Sequence, residues 1–469
     1  MVTLDRWIRD RARLTPDRVA VEEGDREVTF AYLDARSDEL ARSLGHGERI
    51  ATLTGNTAEH VALFFACAKA GAILTPISWR LSPHEIAYQL DDAEPSIFLV
   101  EDEFSELAGE ALALASVQPP REFAAAPRDR PAGPVPQDPL LLIYTSGTTG
   151  RPKGALLTHA NCFWTNIGFD LVAGLGDEDV VLQVLPQFHC GGWNVQPLLA
   201  WWKGARVILE RTFDAGRCLA LIEEKGVTTM MGVPAIYRFM AEDPIFPAVD
   251  LSSLRRAIVG GAPMPLPLLE RWRRRGIAIV QGYGLTEAAP NVLCLPPEEA
   301  VRRAGWAGKP YPFVDVSLSE EGELLVRGPN VFPGYWRNRE ATEAAFRHGW
   351  LATGDVAERD AEGFYRILGR LKDMVISGGE NVYPAEIEAV LHDHPAVADA
   401  AVVGVADERW GEAAAAFVVL RDQVGDGELA DFCRARLARF KVPKSFHMVE
   451  SLPRNALGKV QKSELKVTV

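Results

Sequence analysis

Short apolar runs rich in β-branched residues alternate with stretches of helical periodicity along most of the chain. The runs that we predict as strands are IATL (50–53), SIFLV (96–100), LLLIY (140–144), ARVIL (205–209), RAIVGG (256–261) and IAIVQG (277–282). Between them lie helical patterns such as HVALFFACAKAGA (60–72), which end near a glycine, a common stop for a helix. Strands alternating with helices predict an α/β fold in layers, with largely parallel strands.

The chain changes in character after about Arg370. The remaining segment is compact, with the short runs AAVVGVAD and AAAAFVVL, the helical pattern ELADFCRARLARF and a final SELKV. A chain of 469 residues also exceeds what one hydrophobic core usually organises. We therefore predict a large domain over residues 1–371 and a small α/β domain over residues 372–469.

Composition and charge exclude several classes of function. Hydrophobic residues make up 47% of the chain, and the longest apolar runs, such as PLLLIY (139–144), are too short to cross a bilayer. The N-terminal MVTLDRWIRDRARLTPDR lacks the apolar core of a signal peptide, so we expect a cytoplasmic protein without an integral membrane segment. A net charge of -14 opposes binding to nucleic acid.

The cysteines at positions 67, 162, 190, 218, 294 and 433 are scattered, and no two of them form a C-x-x-C pair. This distribution fits neither a disulfide framework nor a tetrahedral metal site. We expect the cysteines to be small residues of the hydrophobic core.

The segment YTSGTTGRPKG (144–154) is the first candidate for chemistry. It is not a Walker A loop, because Pro152 stands where the second glycine belongs and Gly154 where the final hydroxyl residue belongs. It nevertheless offers glycines, hydroxyl donors and Lys153 directly after a predicted strand, which suits a phosphate. The alternative is an ordinary Gly/Thr-rich surface loop, and the row of small and hydroxyl residues favours phosphate binding.

The same segment closely resembles the signature loop of the acyl-adenylate-forming (AMP-binding) superfamily, which includes acyl-CoA synthetases, luciferases and peptide-synthetase adenylation domains. The resemblance continues in order through LPQFHCGGWN (185–194), VGGAPMP (259–265), QGYGLTEAAP (281–290), GELLVRGPNVFPGYW (322–336), GWLATGD (349–355), YRILGRLKDMVISGGENVYPAEIE (365–388) and LPRNALGKVQK (452–462). It implies a large N-terminal domain of layered α/β subdomains and a small, mobile C-terminal α/β domain.

The resemblance implies catalytic roles within these motifs. Activating a carboxylate with ATP brings an anion toward a polyanion, so cations must neutralise the charge. Glu287 with Thr145 is implied as the site of Mg²⁺, which prefers oxygen ligands, and Lys459 matches the lysine that the small domain delivers to the α-phosphate. Taken alone, Glu287 fits a helix start and Lys459 a solvated lysine. The residues implied in catalysis are Lys459, Glu287, Thr286, Lys153 and His189.

Nucleotide binding is implied for a larger set of residues. Tyr283 resembles the ring that stacks on adenine, Asp355 the carboxylate that accepts the ribose hydroxyls, and Arg370 a residue beside the ribose. Taken singly, Tyr283 fits a core tyrosine and the two charged residues a surface ion pair. The set implied for ATP and coenzyme A is Thr145, Ser146, Gly147, Thr148, Thr149, Gly150, Gly260, Gly261, Ala262, Gly282, Tyr283, Gly284, Asp355, Arg370, Lys372, Ser377, Gly378 and Gly379.

The acceptor follows from differences between branches of the family. Peptide-synthetase domains carry an aspartate where this chain reads FHCGGW, and usually read YGPTE where it reads YGLTE, which disfavours amino acids. ISGGENVYPAEIE resembles acyl-CoA ligases, in which the strip from Ser377 to Gly379 lets pantetheine pass, so we predict coenzyme A as the acceptor. The resemblance also implies that the small domain rotates about Lys372 between the two half-reactions.

The sequence constrains the identity of the substrate acid less than it constrains the identity of the acceptor. The implied substrate-binding residues are His189, Trp193, Asn194, Gly261 and Gly282. A tryptophan at this spacing from the histidine closes the tunnel of some long-chain members, which favours a medium- or long-chain fatty acid. Gly191, Gly192 and Asn194 also suit an aryl or phenylpropenoid acid such as coumarate or ferulate, with o-succinylbenzoate as a further alternative. His189 and Trp193 fit a core histidine and a packing residue nearly as well.

Two other classes of protein use the same fold. A non-catalytic nucleotide sensor is expected to lose Lys459 or Glu287, and both are present. A luciferase-like oxygenase keeps every adenylation motif, so only its products separate it from a ligase. The predicted partners are a small carboxylic acid, ATP and coenzyme A, with Mg²⁺, and a homodimer is left open.

Overall fold

The computed structural model describes residues 2–117, 133–145, 151–377, 380–407, 411–454 and 460–465. A large N-terminal domain is followed by a smaller C-terminal domain, and both combine helices with sheets. The α-helices are α1 (Asp5–Leu14), α2 (Phe30–Ala41), α3 (Ala58–Ala70), α4 (Pro83–Ala93), α5 (Ser105–Leu114), α6 (His159–Ala173), α7 (Gly191–Asn194), α8 (Pro197–Lys203), α9 (Ala215–Lys225), α10 (Pro234–Glu242), α11 (Leu266–Arg273), α12 (Arg339–Ala345), α13 (Pro384–His392), α14 (Asp426–Arg434) and α15 (Lys462–Leu465). The strands are β1 (Val19–Glu23), β2 (Arg26–Thr29), β3 (Arg49–Leu53), β4 (Ile73–Pro76), β5 (Ile97–Val100), β6 (Pro139–Thr145), β7 (Lys153–Thr158), β8 (Val180–Gln183), β9 (Arg206–Leu209), β10 (Thr229–Gly232), β11 (Arg256–Val259), β12 (Ile279–Gly284), β13 (Asn291–Cys294), β14 (Lys309–Pro310), β15 (Asp315–Leu318), β16 (Glu323–Arg327), β17 (Gly334–Tyr335), β18 (Phe346–Arg347), β19 (Trp350–Arg359), β20 (Tyr365–Arg370), β21 (Val375–Ser377), β22 (Glu380–Val382), β23 (Val397–Asp407), β24 (Gly411–Leu420) and β25 (Ser445–Met448).

The largest sheet of the described chain has the order β14-β13-β12-β11-β10-β8-β9-β1-β2. Neighbouring strands are parallel from β12 to β1, and the outer pairs are antiparallel. The runs ARVIL, RAIVGG and IAIVQG form β9, β11 and β12, so the prediction of parallel strands is confirmed for this sheet. Because β11 and β12 are parallel neighbours, the segments that follow them leave the sheet at one edge.

A second sheet of the described residues has the order β17-β7-β6-β4-β3-β5. Strands β6, β4, β3 and β5 are parallel, whereas β7 forms a hairpin with β6. The pairing of β6 with β7 extends to Thr145 opposite Lys153. The hairpin therefore holds the two ends of the candidate phosphate loop beside each other, and residues 146–150 of that loop lie outside the described residues.

Helix α3 lies between these two sheets, because it contacts β1 of the first and β4 of the second. Thr57 caps its N-terminus, because the Thr57 hydroxyl accepts the backbone N–H of His60 at 3.1 Å. Gly71 caps its C-terminus with a φ of 69°, a conformation that glycine adopts without strain. Its apolar composition suits burial on both sides. The six cysteines, with Cys67 of α3 among them, are buried and free, which confirms that they are core residues.

The remaining sheets are mainly antiparallel, unlike the prediction of largely parallel strands. Sheet β15-β16-β19-β18, with β20 on β19, contains antiparallel pairs. In the C-terminal domain the order is β22-β21-β24-β23, with β25 parallel to β24. Short connections explain the difference, since only antiparallel neighbours can be joined by a tight turn. The helix predicted over ELADFCRARLARF ends early, at Arg434.

Two buried histidines make the stability of the large domain depend on pH. Nδ1 of His159 accepts the backbone N–H of Leu4 at 3.1 Å, and Nδ1 of His60 lies 3.0 Å from Oε1 of Gln187. Burial lowers the pKa of each imidazole from 6.5 to about 4. The folded state then binds fewer protons than the unfolded state below pH 6.5. The stabilisation is complete above pH 6.5 and is lost as the pH falls toward 4.

We expect urea unfolding at pH 7.5 and pH 5.0 to differ by about 2 kcal/mol for each of these histidines. Carboxylates with lowered pKa values lose their stabilisation mainly below pH 4.5, so the histidines dominate this interval. His189, whose pKa burial also lowers to about 4, adds a contribution in the same direction. His159→Asn keeps an acceptor for Leu4 without a titratable ring, and should reduce the pH dependence. A free energy of unfolding that is the same at both pH values would contradict the prediction.

Candidate active site

The two residues predicted as Mg²⁺ ligands meet in the structure. Thr145 ends β6, and Glu287 lies in a 3₁₀ turn, Thr286–Ala288, directly after β12. The Thr145 hydroxyl donates to Oε1 of Glu287 at 3.3 Å. In the described part of the chain, no hydrogen bond reaches Oε2 of Glu287. A hydroxyl beside a carboxylate with a free oxygen is a donor set that fits Mg²⁺.

Tyr335 joins this pair, although it was not among the residues predicted for the site. Its hydroxyl donates to Oε1 of Glu287 at 2.8 Å, and Nζ of Lys153 lies 5.3 Å from the centroid of its ring. Burial, together with the Glu287 carboxylate, raises the pKa of the Tyr335 hydroxyl. The motif GYW contains Tyr335, but no periodicity or spacing connects it to Glu287, so the contact could not be predicted.

A second cluster contains the three residues predicted to bind the adenosine part of ATP. Strand β19 places Asp355 opposite Arg370 of β20. The Tyr283 hydroxyl donates to Oδ2 of Asp355 at 2.6 Å, and Nε of Arg370 lies 2.8 Å from Oδ1. Burial raises the pKa of Tyr283, and Asp355 raises it further. A carboxylate oxygen can accept more than one hydrogen bond, and the predicted contact of Asp355 with the ribose hydroxyls stays a prediction. Stacking of Tyr283 on adenine stays a prediction.

The predicted glycine positions lie at the carboxyl ends of β11 and β12. A Cβ on Gly284 would lie 1.6 Å from the carbonyl oxygen of Pro290, and one on Gly260 would lie 2.8 Å from Cε of Met231. Gly261 has a φ of +79° and is exposed together with Ala262. The side chain of Gln281 fixes this segment, because its Nε2 donates to the carbonyl of Ala262 at 3.3 Å. Close backbone packing therefore explains the glycine at 284, whereas the neighbour at 260 is the end of a flexible methionine side chain.

His189 is held near the surface, with its ring 4.7 Å from that of Phe188. Burial lowers the pKa of His189 to about 4, and the nearby Arg80 lowers it further. The imidazole is therefore neutral near pH 7. A neutral ring can contact a carboxylate substrate without a change in its own charge.

Trp193 and Asn194 do not lie where a substrate pocket was expected. Trp193 is 0% exposed, its indole N–H donates to the carbonyl of Gln187 at 2.6 Å, and its ring stacks 4.7 Å from Phe64. Asn194 is also 0% exposed and accepts a hydrogen bond from Asn166 at 3.1 Å. The short helix α7 turns both side chains into the core, so the packing interpretation of Trp193 agrees with the structure.

A cavity of about 670 Å³ lies along one face of β11 and β12. Gly282 and Val280 line it from β12, Ile258 from β11, and Phe169 and Tyr311 add aromatic rings. Its charged lining residues are Asp250, Arg255, Arg256 and Arg275. The ring centroids of Phe169 and Tyr311 are 6.3 Å apart. Since Gly282 was predicted to contact both the nucleotide and the acid, this cavity is the candidate site for the acid.

The other predicted residues are only partly described. Thr286 lies in the same 3₁₀ turn as Glu287, Lys372 is exposed in the 3₁₀ turn Leu371–Asp373, and Ser377 is buried at the end of β21. The predicted residues that lie outside the described ranges are Ser146, Gly147, Thr148, Thr149, Gly150, Gly378, Gly379 and Lys459.

The chain matches two known family models over most of its length. Residues 8–336 match the family model for an AMP-binding enzyme, and residues 386–459 match the model for the AMP-binding enzyme C-terminal domain. The chain belongs to the AMP-binding enzyme family. The resemblance found in the motifs is thereby confirmed, together with the fold class of a large N-terminal and a smaller C-terminal α/β domain, and the boundary at residues 371/372 stays a prediction.

Relatives of this AMP-binding enzyme are similar along nearly their whole length. A feruloyl-CoA synthase from Amycolatopsis sp is 41% identical over 99% of this chain and 98% of its own. An indoleacetate–CoA ligase from Aromatoleum aromaticum is 39% identical, again over 99% and 98%. The solved structure of an o-succinylbenzoate coenzyme A synthetase from Bacillus subtilis, in complex with ATP and magnesium ion, has a TM-score of 0.90 at 35% identity, covering 98% of this chain and 99% of that one.

These relatives confirm the predicted enzyme class, an acid–thiol ligase that forms AMP, and its use of ATP, Mg²⁺ and coenzyme A. They do not support the fatty acid that the sequence favoured, because the relatives above are named for aryl acids, which was the stated alternative. In the described ranges, every helix is too short or too polar to span a bilayer.

Proposed function

We propose that this AMP-binding enzyme ligates an aryl carboxylic acid to coenzyme A by way of an acyl-AMP. The observation that carries the proposal is the cavity beside Gly282, where the rings of Phe169 and Tyr311 share the lining with apolar residues of β11 and β12 and with a few charged side chains, Arg256 of β11 among them. Flat rings and a small-residue strand suit a planar substrate. The names of the relatives support the same class of acid.

The proposed reaction has two displacement steps. An oxygen of the acid's carboxylate attacks the α-phosphorus of ATP and pyrophosphate leaves; the sulfur of coenzyme A then attacks the acyl carbonyl carbon and AMP leaves. Thr145 and Glu287 would hold Mg²⁺, which supplies positive charge to the phosphates. In this proposal Asp355 would hold the ribose and Lys153 would contact phosphate, while the neutral His189, which is predicted to contact the acid, is not part of the cavity lining.

Release of pyrophosphate tests the substrate class directly. The panel contains ferulate, indoleacetate, o-succinylbenzoate, decanoate and phenylalanine, each with and without coenzyme A. We expect an aryl acid to give the highest kcat/KM, with thioester formed only when coenzyme A is present. A clear preference for decanoate or phenylalanine would overturn the aryl assignment, and oxygen-dependent oxidation of the acyl-AMP would support an oxygenase instead.

Gly282→Ala tests whether the cavity binds the acid. A Cβ at this position meets no atom nearer than 3.8 Å, so the fold should accept the methyl group, which then occupies space in the cavity. We expect the KM for the aryl acid to rise roughly tenfold or more, with a smaller change in the KM for ATP.

Gly284→Ala is the matched comparison for this variant. Its methyl group would collide with the carbonyl of Pro290, so it should lower the thermal midpoint of unfolding, which Gly282→Ala should not. An unchanged KM for the acid in folded Gly282→Ala would show that the acid binds elsewhere.

A further inference from the structure

The backbone at Tyr335 is fixed from two directions. Strand β17 pairs with β7, which places Tyr335 opposite Ala155. The N–H of Tyr335 donates to the hydroxyl of Thr342 at 2.9 Å. The preceding residue, Gly334, has a φ of +149°, and a Cβ there would lie 2.5 Å from Thr342. The position of this tyrosine is therefore set by the fold before any ligand binds.

The segment that carries Tyr335 also holds the backbone around Glu287. The N–H of Phe332 donates to the carbonyl oxygen of Glu287 at 2.8 Å. Nδ2 of Asn330 donates to the carbonyls of Ala288 and Asn291, each at 3.0 Å. These hydrogen bonds link two motifs that are far apart in sequence. A shift of the Tyr335 segment is therefore expected to move the backbone at Glu287.

The hydroxyl of Tyr335 and that of Thr145 both donate to Oε1 of Glu287, at 2.8 Å and 3.3 Å. Two donors on one oxygen restrict the rotation of the carboxylate. Among the described residues, Oε2 accepts no hydrogen bond. The arrangement occupies one oxygen and leaves the other for a cation.

The ring of Tyr335 has a second contact. Nζ of Lys153 lies 5.3 Å from the ring centroid, within the range of a cation–π interaction. The ring is supported on its edge by Phe332, with centroids 4.9 Å apart. One side chain thus touches both the carboxylate and the ammonium group of the candidate phosphate site.

We propose that Tyr335 is a positioning residue for adenylation: its hydroxyl orients the Glu287 carboxylate as a magnesium ligand, and its ring holds the Lys153 ammonium at a set distance from that carboxylate. The inference rests on the proposed function, in which Glu287 binds Mg²⁺ and Lys153 binds phosphate. Replacing a group that orients a metal ligand typically lowers metal affinity or activity by about 10–100-fold.

The test separates the hydroxyl from the ring. Tyr335→Phe removes only the hydrogen bond to Glu287, and Tyr335→Leu also removes the ring beneath Lys153. Binding of Mn²⁺ in the presence of a non-hydrolysable ATP analogue is measured by electron paramagnetic resonance. The Mg²⁺ concentration for half-maximal acyl-AMP formation is measured separately. We expect Tyr335→Phe to weaken Mn²⁺ binding and raise the Mg²⁺ requirement by roughly 10-fold, with the KM for the acid unchanged.

Tyr335→Leu should show the same loss and, in addition, weaker binding of the ATP analogue, because Lys153 has lost its support. Tyr32→Phe is the control, since the Tyr32 hydroxyl also faces a glutamate, Glu59, at 3.4 Å but on the surface of α2. Thr342→Val keeps the Tyr335 hydroxyl and removes its backbone anchor, and we expect a smaller shift in the same direction.

Two outcomes would separate a failure of this inference from a failure of the proposed function. Wild-type Mn²⁺ affinity in both Tyr335→Phe and Thr342→Val would overturn the positioning role. Wild-type Mn²⁺ affinity in Glu287→Gln would instead remove Glu287 as the metal ligand, and the proposed site with it. If Tyr335 acts through Glu287, adding Tyr335→Phe to Glu287→Gln should cause no further loss of Mn²⁺ affinity.

Discussion

Replacing Lys459 by alanine is expected to slow acyl-AMP formation by a factor on the order of 10²–10³, while thioester formation from supplied acyl-AMP changes much less. The reason is that the lysine charge is needed only while the α-phosphate is attacked. Lys459 lies outside the described residues, but the residues around it are anchored. Val460 forms a β-bridge with Arg454, and the N–H of Gln461 donates to the carbonyl of Pro453 at 2.8 Å.

The two half-reactions are measured separately, by pyrophosphate release and by conversion of preformed acyl-AMP to the thioester. Lys462→Ala is the matched control, because Nζ of Lys462 already pairs with Oε1 of Glu388 at 2.6 Å. It should leave both rates near those of the unchanged enzyme. Equal losses in both half-reactions of Lys459→Ala would refute the assignment.

Lys372→Pro should separate the two half-reactions, slowing one by at least roughly tenfold and leaving the other near normal. The structure places Lys372 in the 3₁₀ turn Leu371–Asp373, where the N–H of Met374 donates to the carbonyl of Leu371 at 3.4 Å. Proline disfavours a helical conformation in the residue before it, here Leu371. Lys372→Pro should therefore destabilise the domain arrangement in which residues 371–373 form this turn.

The control for this prediction is Lys372→Ala, which removes the exposed side chain but leaves the backbone free to rotate. Acyl-AMP formation and thioester formation are measured in variants whose fold is verified by circular dichroism. If Lys372→Pro lowers both rates by a similar factor, or neither, the small domain does not pivot at this residue.

The sequence predicted the parallel centre of the fold well, because strands such as β9, β11 and β12 are apolar runs whose signal is local. It predicted less of the antiparallel sheets, whose strands are short and joined by turns. Thr145 and Glu287 were paired correctly although they are 142 positions apart, and this pairing came from the family motifs, since no local pattern connects them.

Side-chain direction at the candidate site could not be predicted from spacing. Trp193 and Asn194 follow the histidine in the same motif, and the short helix α7 turns both into the core, so their contact with a substrate stays a prediction. Tyr335 was missed for the converse reason. Its motif was visible, but its contacts with Glu287 and Lys153 depend on β17 pairing with β7, which is a property of the assembled sheet.

The position of β1 has a consequence for how the chain folds during synthesis. Val21 of β1 pairs with Val207 of β9, so the N-terminal strand has no parallel neighbour until β9 has been made. At about 5–20 residues per second, that delay is roughly 10–40 s. During this interval β1 has not yet joined its sheet, so the layer on that side of α3 is incomplete and part of its apolar surface is open to other nascent chains. Slower translation, or a chaperone that shields residues 58–70, should therefore raise the yield of folded enzyme more than mutations that stabilise the native state.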